Sequence, residues 1–242
     1  LLHRVGNAIY REMKEYGCTY WLAPAVNIHR NPLCGRNFEY FSEDPFLAGK
    51  MAASFINGVQ SKGVGTSLKH FAANNQECRR MTVNTVADER ALREIYLTAF
   101  EIAVKESKPW TVMNAYNKLN GTYCAENKWL LTDVLRNEWG FDGVVVTDWG
   151  AENEIVDGIK AGKNLEMPSS GGLGPQKIIN AVNSGELDIN VLDKNVDSII
   201  ELILKGAENL HSDYPCDMNA HHTLARKIAS ESMVLLKNEN KT

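Results

Sequence analysis

GVVVTDWG, residues 143–150, is the stretch on which the reading of this chain turns. Three consecutive valines bounded by glycine fit a short strand buried on both faces, as in a parallel sheet. The apolar run stops at Thr147, which places Asp148 at the strand's carboxyl end, with Trp149 beside it and Gly150 free to turn the backbone away. A carboxylate against an aromatic wall at that end of a parallel strand is where α/β proteins carry their chemistry. Asp148 is therefore the candidate nucleophile.

Working outward, similar buried runs recur at Trp21–Ile28, Val64–Phe71, Trp110–Ala115 and Asn164–Met167. Helical patterns alternate with them: an opening amphipathic segment with Leu2, Val5, Ile9 and Met13 on one face, a helix opened by Asp44-Pro45 and running to about Ser61, and one capped by Asp88 and running to about Glu106. Further helices are expected near Trp129–Trp139, Ala151–Ala161, Gln176–Asn183, Val191–Lys205 and His222–Ser232, the last followed by a strand at Met233–Leu236. Strand and helix alternate five times, the signature of parallel βα units, in a barrel or an open doubly wound sheet. No GxGxxG or phosphate loop follows any strand, which disfavours the nucleotide-binding open sheet. The predicted fold class is α/β: a (β/α)8 TIM-barrel-like domain, incomplete at its N-terminus, over residues 1–210, a linker over 211–219, and the first helix and strand of a second α/β domain over 220–242.

The net charge of −4 is mild, and no cluster of Lys and Arg marks a nucleic-acid or membrane face. No apolar run approaches the roughly 18 residues of a membrane helix. Cys18, Cys34, Cys78, Cys124 and Cys216 are odd in number and widely spaced, which favours reduced thiols, and hence a cytoplasmic over a secreted setting. His29, His221 and His222 show no ligand spacing with Cys or acidic partners, so neither a metal nor another cofactor is expected. The chain opens without Met inside a helix and ends in a strand-like run with nothing to pair with, so it reads as a fragment of something longer.

In a βα barrel the strand C-termini converge on one face. The polar residues there are Arg36, Lys69, His70, Asn74, Tyr116, Asp148 and Trp149. Donors, one carboxylate and aromatic surface together suit a sugar, whose hydroxyls bind charged groups and whose C–H face packs on rings. Each residue also has a plainer reading. An Asp ending a strand often caps a helix, Arg36 fits a loop salt bridge, and Tyr116 and Trp149 fit packing. Adjacent residues of a regular strand point to opposite faces, so Lys69 and His70 can both face a ligand only if the strand is distorted there. Of the rival carboxylates, Glu43 suits a helix start, and Glu166 is expected to pair with a cation.

Four ordered motifs, GRNFEYFSEDP (35–45), KHFAANNQE (69–77), VMNAYNKLNG (112–121) and GVVVTDWG, resemble those of glycoside hydrolase family 3, and SESMVLLKN (230–238) resembles that family's entry into its α/β-sandwich domain. The resemblance implies that Asp148 is the nucleophile, that Arg36, Lys69 and His70 hold the hydroxyls of the first sugar, that Tyr116 and Met113 line the site, and that Trp149 is its aromatic wall. It also implies retaining hydrolysis of a β-glucoside or oligosaccharide, with the general acid/base supplied from outside these residues. A β-xyloside or arabinoside, phosphate as acceptor, or binding without catalysis are the alternatives; a homo-oligomer is compatible with all of them. The family's N-acetylglucosaminidase branch uses a His and an Asp after KHF, and KHFAANNQE has neither.

Overall fold

The computed structural model describes residues 1–210 and 216–239. In chain order its elements are α1 (Leu2–Glu15), β1 (Tyr20–Trp21), α2 (Pro45–Gln60), β2 (Gly65–Phe71), β3 (Asn84–Thr85), α3 (Glu89–Ala91), α4 (Thr98–Ser107), β4 (Thr111–Asn114), β5 (Lys118–Leu119), β6 (Thr122–Tyr123), β7 (Val144–Thr147), α5 (Ile155–Ala161), α6 (Leu173–Ser184), α7 (Ile189–Ala207) and α8 (Met218–Ser232). Two segments have π-type hydrogen bonding: Leu92–Tyr96, which interrupts the helix expected from Asp88 to Glu106, and Trp129–Glu138.

The central sheet has the order β1-β2-β4-β7, every pair parallel. The three valines lie at its edge, with Val144, Val145, Val146 and Thr147 in register with Thr111 to Asn114. Both faces are covered, which is why the run is apolar throughout. Val145 and Val112 join Ile56, Leu68, Phe71, Phe100, Leu131 and Leu135 in the main core under the helices. Val144, Val146 and Met113 face the other way and pack with Leu165, Met167 and Leu202 of α7.

Among the described residues the parallel sheet stays open, with four strands. Two expected strands are mostly lost: of Trp21–Ile28 only Trp21 stays in a strand, β1, with Ala25 bridging to Lys69, and of Asn164–Met167 only Leu165 bridges, to Val146. In the first, Pro24 brings no N–H to a ladder. The segment still runs beside β2, with hydrogen bonds from Ser67 N to Ala23 O, Lys69 N to Pro24 O and Val26 N to Lys69 O. In the second, Pro168 stops the run. A second sheet, β3-β5-β6, was not anticipated; its hairpin turns at Asn120-Gly121, both with positive φ, the residue pair that such a two-residue turn favours. Residues 233–238 form no strand and their apolar side chains are exposed. Of the expected linker, 211–215 lie outside the described residues, while Met218 and Asn219 already belong to α8, capped by Asp217.

Helix starts follow their caps. Asp44 accepts from the amides of Phe46 (2.8 Å) and Leu47 (3.4 Å) with Pro45 in the first turn, and Asp188 accepts from Asn190 N (2.9 Å). Helices α1 and α2 touch through glycines. A Cβ on Gly6 would lie 2.5 Å from Phe55 O, and one on Gly58 would collide with His3 O. Alanine would gain about 1 kcal/mol in helix propensity, yet forcing two backbones apart costs about 1–3 kcal/mol. Gly58→Ala is therefore expected to lower the unfolding free energy by about 1–2 kcal/mol in urea titration; unchanged or raised stability would show that the helices part without cost.

Candidate active site

Asp148 stands where β7 ends, and its side chain is 13% exposed. Its amide reaches Asn114 O on β4 at 3.3 Å, and its Oδ1 accepts from the Trp149 amide at 2.7 Å. Its Oδ2 is buried without a hydrogen-bond partner. His70 Nε2 lies 3.5 Å from Oδ2, and Arg36 Nη1 lies 3.9 Å from it.

Arg36 ties the loop after the first strand segment to this carboxylate. Its Nε donates to Glu39 Oε1 at 2.5 Å and its Nη2 to His70 Nε2 at 2.9 Å. A guanidinium has only donors, so His70 Nε2 must accept and the imidazole proton resides on Nδ1. Burial, and then the positive charges of Arg36, Lys69 and Arg80, push the His70 pKa down to about 2, so the ring is neutral at any physiological pH. Lys69 Nζ lies 3.8 Å from Glu39 Oε2; burial lowers its pKa, and Glu39 and Asp148 oppose that shift.

Lys69 and His70 both reach the cluster because β2 is irregular. Its register against β4 shifts between Leu68 and Phe71. Asn27 clamps the His70 backbone from the neighbouring segment: its Nδ2 donates to His70 O (3.0 Å), and its Oδ1 accepts from His70 N (2.9 Å).

Tyr116 donates its hydroxyl to Trp149 O at 2.8 Å, and burial together with Asp148 raises its pKa. The Arg80 guanidinium sits over its ring, 4.5 Å from the centroid, and Arg80 Nη1 pairs with Glu77 Oε2 at 2.8 Å. Asn74 donates to the other Glu77 oxygen at 3.1 Å. Trp149 leaves its side chain in solvent, with the residue 63% exposed. Met113 lies apart from the polar groups, in the apolar cluster with Val144 and Val146. Glu166 accepts from Ser170 at 2.9 Å, while the nearby cation Lys163 pairs with Glu152.

The structure thus gathers Arg36, Lys69, His70 and Asp148, with Tyr116 and Trp149 on the Asp148 side. Three of the residues that hold them were missed in sequence. Glu39 carries a signal, since it follows Arg36 by three residues inside a 3-10 turn, a spacing that suits an ion pair. Asn27 carries none, because its partner is 43 residues away; Arg80 follows Glu77 by the same three residues, but its contact with the Tyr116 ring spans 36 and leaves no local signal. Arg36, Lys69 and Arg80 face Asp148, Glu39 and Glu77, so the cluster is balanced in charge around a neutral imidazole. Among the described residues, no group of three or more His, Cys, Asp or Glu could hold a metal, and no helix is long and apolar enough to cross a membrane.

The fold and cluster define a parallel α/β protein with a carboxylate, cations and an exposed indole at the carboxyl ends of its strands. The chain belongs to glycosyl hydrolase family 3: the model of that family's N-terminal domain matches residues 1–202. It is 58% identical over 240 residues to thermostable beta-glucosidase B of Acetivibrio thermocellus, covering 99% of this chain and 32% of the relative. It is 50% identical over 241 residues to an exo-alpha-(1->6)-L-arabinopyranosidase of Bifidobacterium breve, with the same two coverages. The structure of beta-glucosidase 3B from Thermotoga neapolitana in complex with glucose superposes with a TM-score of 0.94 at 51% identity, over 99% of this chain and 35% of that one. The chain therefore spans about a third of the length of these relatives.

The neutral His70 has a measurable consequence. Folding lowers its pKa from the ordinary 6.5 to about 2, so the unfolded chain binds a proton that the folded chain refuses. The associated stability is complete above pH 6.5 and is lost below it, by up to about 1.4 kcal/mol per pH unit. Between pH 7.5 and 5.0 the unfolding free energy in urea should fall by about 2 kcal/mol more than in a His70→Asn variant; equal losses would mean that the folded chain accepts the proton.

Proposed function

We propose that this chain carries the nucleophile of a retaining, exo-acting glycosidase that removes terminal non-reducing β-D-glucosyl residues. The observation that supports it most is the asymmetry of the Asp148 carboxylate. Oδ1 is held by the Trp149 amide, while Oδ2 is buried, free of hydrogen bonds and within 4 Å of two side chains that bind hydroxyls. An unencumbered lone pair in a charge-balanced, partly desolvated site is what nucleophilic attack needs.

In this reading Oδ2 attacks the anomeric carbon as its bond to the leaving oxygen breaks. A second carboxyl group about 5–5.5 Å away protonates that oxygen, then deprotonates the water that releases the sugar from aspartate. Glu39 and Glu77 are poor candidates for that acid, because each is already engaged in ion pairs, Glu39 with Arg36 and Lys69 and Glu77 with Arg80. The acid/base is therefore assigned outside residues 1–242. Arg36, Lys69 and the neutral His70 bind the hydroxyls of a small β-glucoside or oligosaccharide. Trp149 offers its exposed face to the sugar ring, Tyr116 orients the Trp149 backbone, and Met113 shapes the apolar floor. Residues 1–210 then form most of a (β/α)8 barrel that further chain closes, with 211–219 a linker and 220–242 the start of an α/β-sandwich domain. The chemistry requires no cofactor.

The relative named for an arabinopyranosidase favours one second reading, in which the same machinery acts on a pentopyranoside. Two measurements on full-length protein test these assignments. A 2-deoxy-2-fluoro-glucoside should label Asp148, and Asp148→Asn should lower kcat by at least about a thousandfold; label on Glu39 or Glu77, or a variant keeping a tenth of the activity, would overturn the nucleophile. The ratio of kcat/KM for aryl β-D-glucoside to that for aryl α-L-arabinopyranoside should exceed one; the inverse ratio would move the substrate to the second reading.

A further inference from the structure

The least exposed charged side chain among the described residues lies away from the cluster around Asp148. Lys163 is 1% exposed, follows α5, and forms an ion pair with Glu152, whose side chain is 9% exposed. Glu152 lies four residues beyond Asp148, in the loop that leads from β7 to α5. The two ends of that loop are already fixed. The Trp149 amide binds Asp148 Oδ1, Gly150 N donates to Met167 O at 2.8 Å, and Ala151 N to Asp148 O at 2.9 Å. At the far end Glu154 N donates to Glu126 Oε1 at 2.8 Å. Between them Glu152 is the residue whose side chain turns inward, and its other oxygen, Oε1, is buried with no hydrogen-bond partner.

The backbone of Lys163 is itself held on both sides. Lys163 N donates to Gly158 O at 3.0 Å, and Lys163 O accepts from Asn195 Nδ2 of α7 at 2.6 Å. Gly158 leaves the room the side chain occupies, since a Cβ there would stand 2.9 Å from Lys163 Nζ. A buried pair of this kind adds little to stability compared with apolar residues of the same shape, yet it is costly to break on one side only. Its position indicates what it contributes: it ties the loop between β7 and α5 to the chain that follows α5.

We propose that Lys163 is a positioning residue, which through Glu152 fixes the loop that sets the Asp148 carboxylate and the Trp149 ring. This rests on the reading of Asp148 as nucleophile. The pair touches no substrate, so its loss should slow the covalent step while leaving sugar binding largely intact; misplacement of a reacting group by about 1 Å can cost around a hundredfold.

The test is inactivation of full-length protein by a 2-deoxy-2-fluoro-glucoside, resolved into its rate constant and its binding constant. Lys163→Met and Glu152→Gln are each expected to lower the rate constant at least tenfold with the binding constant within threefold. The double variant Lys163→Met/Glu152→Leu should be no slower than the slower single one. Where Lys163→Met fails to fold, Glu152→Gln alone decides. A folded Glu152→Gln with a rate constant within twofold of wild type, or one changed only in binding, would overturn the proposal. Label mapped away from Asp148 in the wild type would instead overturn the nucleophile assignment on which it rests.

Discussion

A carboxylate taken out of water needs compensating charge within a few ångströms, and the placement of Asp148 is governed by that need. The charged and polar groups around it come from parts of the chain far apart in sequence. Arg36 lies on the loop after the first strand segment, and Lys69 and His70 lie at the end of β2. Only a parallel arrangement, in which successive strands deliver their carboxyl ends to one edge, brings these groups together. Arg36 joins the groups most directly, since one guanidinium meets Glu39, His70 and Asp148. Its obligatory donors also decide the His70 tautomer, so the geometry of one side chain settles the protonation of another.

The remainder of the architecture keeps that edge rigid. The sheet is apolar on both faces, with Val112 and Val145 turned to the helical layer and Met113, Val144 and Val146 turned away from it. Glycines allow α1 and α2 to meet backbone to backbone, without the spacing side chains impose. Behind β7 the buried Lys163–Glu152 pair and the Glu126–Glu154 hydrogen bond hold the loop that leaves the site. The site is polar and its support is mostly apolar, but the support uses buried charge where a loop has to be held in one conformation.

Much of this was legible in the chain because it depends on local pattern. The run at 143–147 reads as a doubly buried strand, and Asp44 and Asp88 mark helix starts that the structure contains. Other features were invisible for a physical reason. Asn27 holds the backbone of His70 across 43 residues, and no periodicity encodes such a contact. The small sheet β3-β5-β6 is built from pairs of residues too short to leave an alternating pattern. Asn164–Met167 is apolar enough for a strand, yet only Leu165 bridges to the sheet, since ladder pairing depends on what lies beside a segment.

The sequence by itself determined the class of architecture, the strand that carries Asp148 and the family, because hydrophobic period, caps and ordered motifs are properties of neighbouring residues. Tertiary structure alone decided that Lys69 and His70 face the same cluster, that His70 is a neutral acceptor, and that Glu39 and Glu77 are bound by cations. Those outcomes depend on distance and burial. A charge that costs little in water costs several kcal/mol once desolvated, and which groups share that interior is settled only when the strands are side by side.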